Sequence, residues 1–331
     1  METKTTTTAA PQAAEREEQS PTTNGTDDDD NDDKTNAAAK QGLPFSPAAR
    51  AFFAALDGTT TQNNNKNKKS SPAACSFVQK RIQTLGWRNR YSQQDYYPVT
   101  LDNVSFSVHQ VQRGEVEGTY GTGATVWPAA MVLLKYLEKH AARLLHQKRC
   151  VDLGAGTGVT SLGAALLGAQ EVICTDGEPA VVQLAQDNLK HFVEEISSQG
   201  VANSSDTDNT TATTQIRIRG CPIHVQQYWW GTGTIRGGNH ADIVLVADCV
   251  LPKLYPIGPL VDAIDELLTT PDAVAVLSYE YRYFAAFDPA TEFRRLCALR
   301  GLTVQTIPLT EQDAVYSVED IEIWHVQRQS T

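Results

Sequence analysis

Val151-Asp152-Leu153-Gly154-Ala155-Gly156-Thr157-Gly158 is the stretch on which the fold turns. A short apolar strand, Arg149 to Leu153, runs into three alternate glycines, and a helix is expected from about Gly158 to Leu167. Glycine lets a chain turn tightly at a strand end and lets a ligand come close to the backbone. Roughly twenty residues after Gly154, the usual spacing in doubly wound folds, the next strand, Glu171 to Thr175, ends at Asp176. A carboxylate there can accept hydrogen bonds from ribose hydroxyls. Together the two strand ends predict a nucleoside-binding crevice.

The surrounding sequence alternates in the same way. Tyr96 to Val111 reads as a strand hairpin, and Trp127 to Leu145 as one helix, with Ala130, Leu133, Leu134, Leu137 and Ala141 at three- and four-residue spacing. After Asp176 the pattern predicts a helix from Glu178 to about Glu195, with Pro179 in its first turn. Strands are expected at Ile216 to Gly220, His224 to Tyr228, Ala241 to Ala247 and Ala273 to Tyr279, and helices at Leu260 to Leu268 and Ala290 to Arg300. The run Ile243-Val244-Leu245-Val246 is apolar throughout, as in a strand buried on both faces of a parallel sheet. Two closing strands, Thr303 to Leu309 and Ile321 to Gln327, have no helix between them and predict an antiparallel pair at one edge. Such alternation defines an α/β domain with helices on both faces of the sheet.

Residues 1–75 carry TTTTAA, DDDDNDD and NNNKNKKSS and offer little to bury, so a disordered arm is expected before a domain spanning 76–331. Phe45 to Leu56 is the one apolar exception, and a disordered internal loop is expected at about 197–214. The net charge of -11 argues against a nucleic-acid or anionic-membrane partner. No apolar run is long enough for a membrane helix and no secretory leader is visible. None of the six cysteines forms a Cys-x-x-Cys pair or zinc-ligand spacing with histidine, so free buried thiols in a reducing compartment and no metal are expected. A monomer in the cytoplasm, or also the nucleus, is the corresponding expectation.

Two nucleoside ligands compete for the crevice. A dinucleotide fingerprint would place a third glycine where Val159 stands. Asp152, two residues before the first glycine, suits a cationic group such as the amine of a methionyl moiety better than a pyrophosphate. The residues therefore favour S-adenosylmethionine over NAD, with Asp152, Gly154, Ala155, Gly156 and Asp176 as its candidate contacts.

From about Tyr120 to Gln327 the chain resembles methyltransferase family 16, the seven-β-strand protein-lysine methyltransferases. Gly123-Ala124-Thr125-Val126-Trp127-Pro128-Ala129-Ala130 resembles the family's helix before the glycine turn, whose tryptophan lies by the cofactor. Tyr228-Trp229-Trp230-Gly231 resembles the third-strand Trp-Gly, which points to Trp230 beside the adenine. Val246-Ala247-Asp248-Cys249-Val250 resembles the fourth-strand segment, and Leu277-Ser278-Tyr279-Glu280-Tyr281-Arg282 the Tyr-Glu-x-Arg after strand five. Ile307-Pro308-Leu309 and Tyr316 to Ile321 are similar to the end of one family member. One departure stands out: the family's tyrosine three residues after the acid is Leu251 here, and Tyr255 follows four residues later.

The resemblance implies a Rossmann-like class I methyltransferase with a mostly parallel seven-stranded sheet. It also implies S-adenosylmethionine as cofactor, with Trp127, Trp230 and Ala247 added to its contacts, and a lysine of a cytosolic protein as acceptor. Asp248 is expected to orient the amine, with Tyr279 and Glu280 as second candidates for the same wall. Tyr279 and Glu280 read equally as a structural pair, and Trp127 and Trp230 as core aromatics. The rival functions are a methyltransferase-like binding module without catalysis and a small-molecule methyltransferase.

Overall fold

The structure, a computed structural model, describes residues 86–111, 121–198, 216–251, 254–282 and 287–329. The expectations for residues 1–75 and for most of 197–214 fall outside these.

A hairpin opens the described fold: β1, Tyr96–Leu101, pairs antiparallel with β2, Val104–His109. Its two-residue turn has Asp102 at φ 48° and Asn103 at φ 60°. A type I′ turn needs positive φ at both central positions, and Asp and Asn accept it better than other side chains. The inward residues alternate strictly, Tyr97, Val99 and Leu101 facing Val104, Phe106 and Val108.

The predicted Trp127–Leu145 helix is two: α1, Pro128–Lys139, and α2, Ala141–Leu144. The break falls at His140, whose backbone N–H bonds to Tyr136 and Leu137 and whose ring bonds the Glu311 carbonyl, so a tertiary contact overrides the periodicity. The central units follow: β3 Arg149–Leu153, α3 Val159–Leu166, β4 Glu171–Asp176, α4 Pro179–Ser198 and the strands β5 Ile216–Ile218 and β6 Cys221–Gln227. Helix α4 therefore runs into the start of the expected loop. The second half is β7 Ile243–Ala247, α5 Ile257–Leu267, β8 Val274–Glu280, α6 Pro289–Leu299, β9 Leu302–Ile307 and β10 Ile321–Arg328.

Among the described residues the main sheet has eight strands rather than seven, in the order β5-β6-β4-β3-β7-β8-β10-β9. The extra one is the three-residue β5, antiparallel to β6 at one edge. Strands β6, β4, β3, β7 and β8 are parallel, and the predicted antiparallel pair is β9 with β10 at the other edge. Chain order reverses between β3 and β7, which makes that junction the topological switch point where open α/β sheets bind ligands.

Period-two alternation divides the core. Cys150, Val172, Leu245 and Val276 face α1, α3, α4 and the hairpin; Val151, Ile173, Val244 and Ala275 face α5 and α6. Gly163 in α3 lets that helix press on α1, since a Cβ there would come 2.0 Å from Leu134. The five cysteines among the described residues are free and buried. Among the same residues no helix is long and apolar enough to cross a membrane, and no three metal-ligating side chains gather.

Candidate active site

The carboxyl ends of β3, β4 and β7 open into a cavity of about 700 Å³. Its floor is the glycine turn. Gly154, Gly156 and Gly158 all have positive φ, between 57° and 82°. A Cβ on Gly154 would lie 2.8 Å from the Cys249 sulfur and 3.3 Å from the Trp230 ring, and one on Gly156 would lie 2.9 Å from the Gly123 carbonyl oxygen. The turn is thus held between the segment after β7 and the loop before α1. Backbone bonds tie it to the next strand: Ala155 N–H donates to Thr175 O, and the Thr175 hydroxyl to Asp152 O.

Asp176 closes β4 and lines the cavity. One carboxylate oxygen accepts from Gly156 N–H and the other from Glu178 N–H, each at 3.1 Å. Burial raises its pKa above the usual range, with those backbone donors opposing. Each oxygen keeps acceptor capacity toward the cavity.

Asp152 is not where the sequence placed it. It is fully buried, off the cavity lining, and faces α3, where one oxygen accepts from the Thr160 and Ser161 hydroxyls and the other has no partner. It braces the turn from beneath rather than meeting a ligand. Burial pushes its pKa up to about 6, against the two hydroxyls. A folded-state pKa raised above the unfolded value means that stability is lost as pH rises from about 4 through about 6. Asp152→Asn removes this dependence. Relative to the wild type, the variant should gain about 2–3 kcal/mol of stability between pH 4 and pH 7. Urea midpoints at both pH values measure the gain, and a difference independent of pH would refute the burial of this charge.

Trp127, Trp230 and Ala247 all line the cavity, with Gly154, Ala155 and Gly156. Trp127 is the N-cap residue of α1, and its indole N–H donates to Thr122 O at 2.9 Å. Trp229, more than half exposed, also lines the cavity and lies over Gly177, where a Cβ would touch its ring at 2.9 Å.

Asp248 lines the cavity just beyond β7, in the left-handed region at φ 57°, which Asp and Asn adopt more readily than other residues with a side chain. Its backbone N–H bonds Ser278 O. Its carboxylate is 2% exposed and is gripped by both terminal nitrogens of Arg282, at 2.8 and 2.5 Å. Burial still raises its pKa, with Arg282 opposing. Glu280 N–H reaches Oδ1 at 3.3 Å, so the free acceptor capacity lies on Oδ2.

Tyr279 and Glu280 do not join Asp248 at the cavity wall. Tyr279, at an odd position of a strand buried on both faces, points to the α5–α6 side and stacks on Trp324 at 4.7 Å. Glu280 is engaged by Arg88 and Arg282. Three further residues, none of them assigned to the site from the sequence, belong to it. Tyr255 comes back to the cavity through a turn in which its N–H and that of Leu254 bond the Leu251 carbonyl. Its hydroxyl bonds Thr122, and its ring meets Trp230 edge-on at 5.7 Å. Arg282, which also lies over the Trp127 ring at 5.8 Å, was visible in the Tyr-Glu-x-Arg motif; nothing in the sequence marked Thr122.

A sheet of this order with a glycine-floored, carboxylate-edged cavity at its switch point defines a Rossmann-like, nucleoside-binding enzyme fold. The sequence matches the lysine methyltransferase family over residues 108–288, more than half of the chain, and the protein belongs to that family. Its fold is accordingly that of a class I methyltransferase. It is 29% identical over 204 residues to the mouse protein-lysine methyltransferase METTL21E, covering 60% of this chain and 64% of that one. It is 26% identical over 178 residues to the protein N-terminal and lysine N-methyltransferase EFM7 of Yarrowia lipolytica, covering 52% and 62%. To the zebrafish (Danio rerio) protein N-lysine methyltransferase METTL21A it is 32% identical over 191 residues, covering 56% and 74%. The chain thus spans just under two thirds of the length of the first two relatives.

Proposed function

We propose that the protein is an S-adenosylmethionine-dependent N-methyltransferase that modifies a lysine side chain of another protein. The observation that carries this reading is a single cavity that joins the glycine turn and Asp176 to Asp248 and Tyr255. Family membership and the names of the relatives support it.

The residues present fit the cofactor. Gly154 and Gly156 leave bare backbone where a Cβ would collide with the walls. Asp176 keeps acceptors for a pair of hydroxyls, and Trp230, Val126 and Ala247 supply an apolar lining. S-adenosylmethionine, when bound, supplies an electrophilic methyl group on a sulfonium. Gly154, Ala155, Gly156, Asp176, Trp127 and Trp230 would hold it. Asp176→Asn should weaken its binding about tenfold, because a charge-assisted acceptor is lost while the shape is kept. Calorimetry reads this, and unchanged affinity would remove Asp176 from the site.

The acceptor must present a neutral amine. Deprotonating a lysine near pH 7 costs about 4–5 kcal/mol. Oδ2 of Asp248, which accepts from Arg282 alone, would accept one N–H of that amine and so fix the direction of its lone pair. Tyr255, Trp230 and Leu251 enclose the same space and exclude water. No residue is required as a strong base, because the ammonium proton can leave to solvent before alignment, and orientation supplies the larger part of the rate. Tyr255, returned to the cavity, removes the main reason for reading the chain as an inactive binding module. The acidic net charge supports a protein rather than a nucleic-acid acceptor.

The test is transfer of tritium from methyl-labelled cofactor to lysate proteins. Label that is sensitive to protease and resistant to nuclease is expected. Label found only in nucleic acid or small molecules would overturn the reading.

A further inference from the structure

Asp248 is the inner end of a chain of charges that runs well away from the cavity. Its Arg282 partner also reaches Glu280 Oε2, at 3.2 Å through the same nitrogen that holds Asp248 Oδ2. The other oxygen of Glu280 bonds Arg88, and Arg88 reaches Asp320 at 2.7 Å. Arg88 lies 192 positions before Glu280 and outside the cavity lining. Its segment is fixed to the connection between β9 and β10: Trp87 is buried, its indole N–H donates to Val315 O at 3.0 Å, and its ring packs on Tyr316 at 5.0 Å.

The geometry sets two carboxylates against one guanidinium. Arg282 can satisfy Asp248 with its full fork only while Glu280 is held by something else. Arg88 does that. Without it, Glu280 is left as a largely buried carboxylate whose remaining partner is Arg282. Burying an unpaired charge is costly, so Glu280 would draw the fork toward itself.

We infer that Arg88 is a positioning residue for the reaction, which keeps Glu280 from competing with Asp248 for Arg282 and so holds the Asp248 carboxylate in its working orientation. This rests on the reading of Asp248 as the group that orients the amine. It adds a residue from the opening segment of the domain, which touches neither cofactor nor acceptor.

The test is a double-mutant cycle in the full chain. Arg88→Gln should lower single-turnover methyl transfer about tenfold, the scale of coupling within one ion-pair network, with cofactor affinity unchanged. Adding Glu280→Gln removes the competing charge and should restore the rate to that of Glu280→Gln alone. Arg88→Lys, which keeps a cation, should recover most of the activity. If Arg88 served only to anchor its segment, Glu280→Gln would bring no rescue, and that result overturns the proposal.

A second readout does not depend on the chemistry. In the protein without cofactor, the side-chain carboxyl ¹³C resonance of Asp248, assigned by its loss in Asp248→Asn, is followed against pH. The groups facing that carboxylate are Glu280 at the end of β8, Arg282 two residues on, Cys249 beside it and Tyr255 on the same cavity lining. With Arg282 drawn away, Arg88→Gln should move the Asp248 midpoint upward, and adding Glu280→Gln should move it back. An unmoved midpoint overturns the inference even where methyl transfer is observed. A protein that transfers no methyl group but shows the shift and its reversal retains the network and loses only the proposed activity.

Discussion

Asp248→Ala should lower turnover about a hundredfold, the loss typical of a misaligned acceptor, while cofactor affinity stays within about threefold of the wild type. Asp248 lies just beyond β7 and lines the same cavity as Asp176, and under the proposed function its Oδ2 meets the incoming amine. An interaction made only as the amine aligns lowers kcat and kcat/KM together. Alanine also removes the main partner of the Arg282 fork, leaving that partly buried guanidinium with Glu280 alone. Asp248→Asn should fall between, because the amide can keep an acceptor but no longer pairs with Arg282 as an anion. The measurement is single-turnover rate together with calorimetric cofactor affinity for both variants. A hundredfold loss of cofactor affinity in Asp248→Ala would move this residue to the cofactor side of the cavity.

Gly156→Ala should nearly abolish cofactor binding, with a loss of about a hundredfold or more. Two costs add. A left-handed conformation costs a side-chain residue about 1–2 kcal/mol, and overpacking a tight contact costs about 1–3 kcal/mol. The contact is with the backbone carbonyl of Gly123, which cannot rotate away as a side chain would. The Gly121–Gly123 loop must move instead, and with it Thr122, which bonds both the Trp127 indole and the Tyr255 hydroxyl. One substitution would therefore loosen both the cofactor and acceptor sides. Calorimetry and a thermal melt separate the effects: lost binding with a modest fall in Tm is expected, and retained affinity would show that the turn does not carry the cofactor.

The features legible in the sequence are those written in local chemistry. The Gly154–Gly158 turn and Asp176 at the next strand end were readable because conformation and spacing fix them. The hairpin was readable from the strand character of Tyr96 to Val111, and its Asp102-Asn103 turn fits between the two strands. Trp127, Trp230, Ala247 and Asp248 were pointed to by the family resemblance, and all four line the cavity. The direction of a side chain on a strand covered by helices on both sides was not readable. All five residues of β3 are buried, so no alternation of polarity showed that Asp152 faces α3. The same holds for β8, where Tyr279 turned out to face Trp324. Tyr255 depended on a turn whose closing bonds leave no composition signal, and Arg88 on a contact across most of the domain.

The proposed activity comes down to one event, transfer of a methyl group to a protein amine in this cavity. Protein labelled with methyl-tritiated cofactor can be hydrolysed to amino acids and its radioactivity separated by chromatography. Label eluting with methylated lysines, and reduced about a hundredfold when Asp248→Ala replaces the wild type, is the predicted result. Label on arginine, histidine or carboxyl esters, or label unaffected by Asp248→Ala, would contradict it.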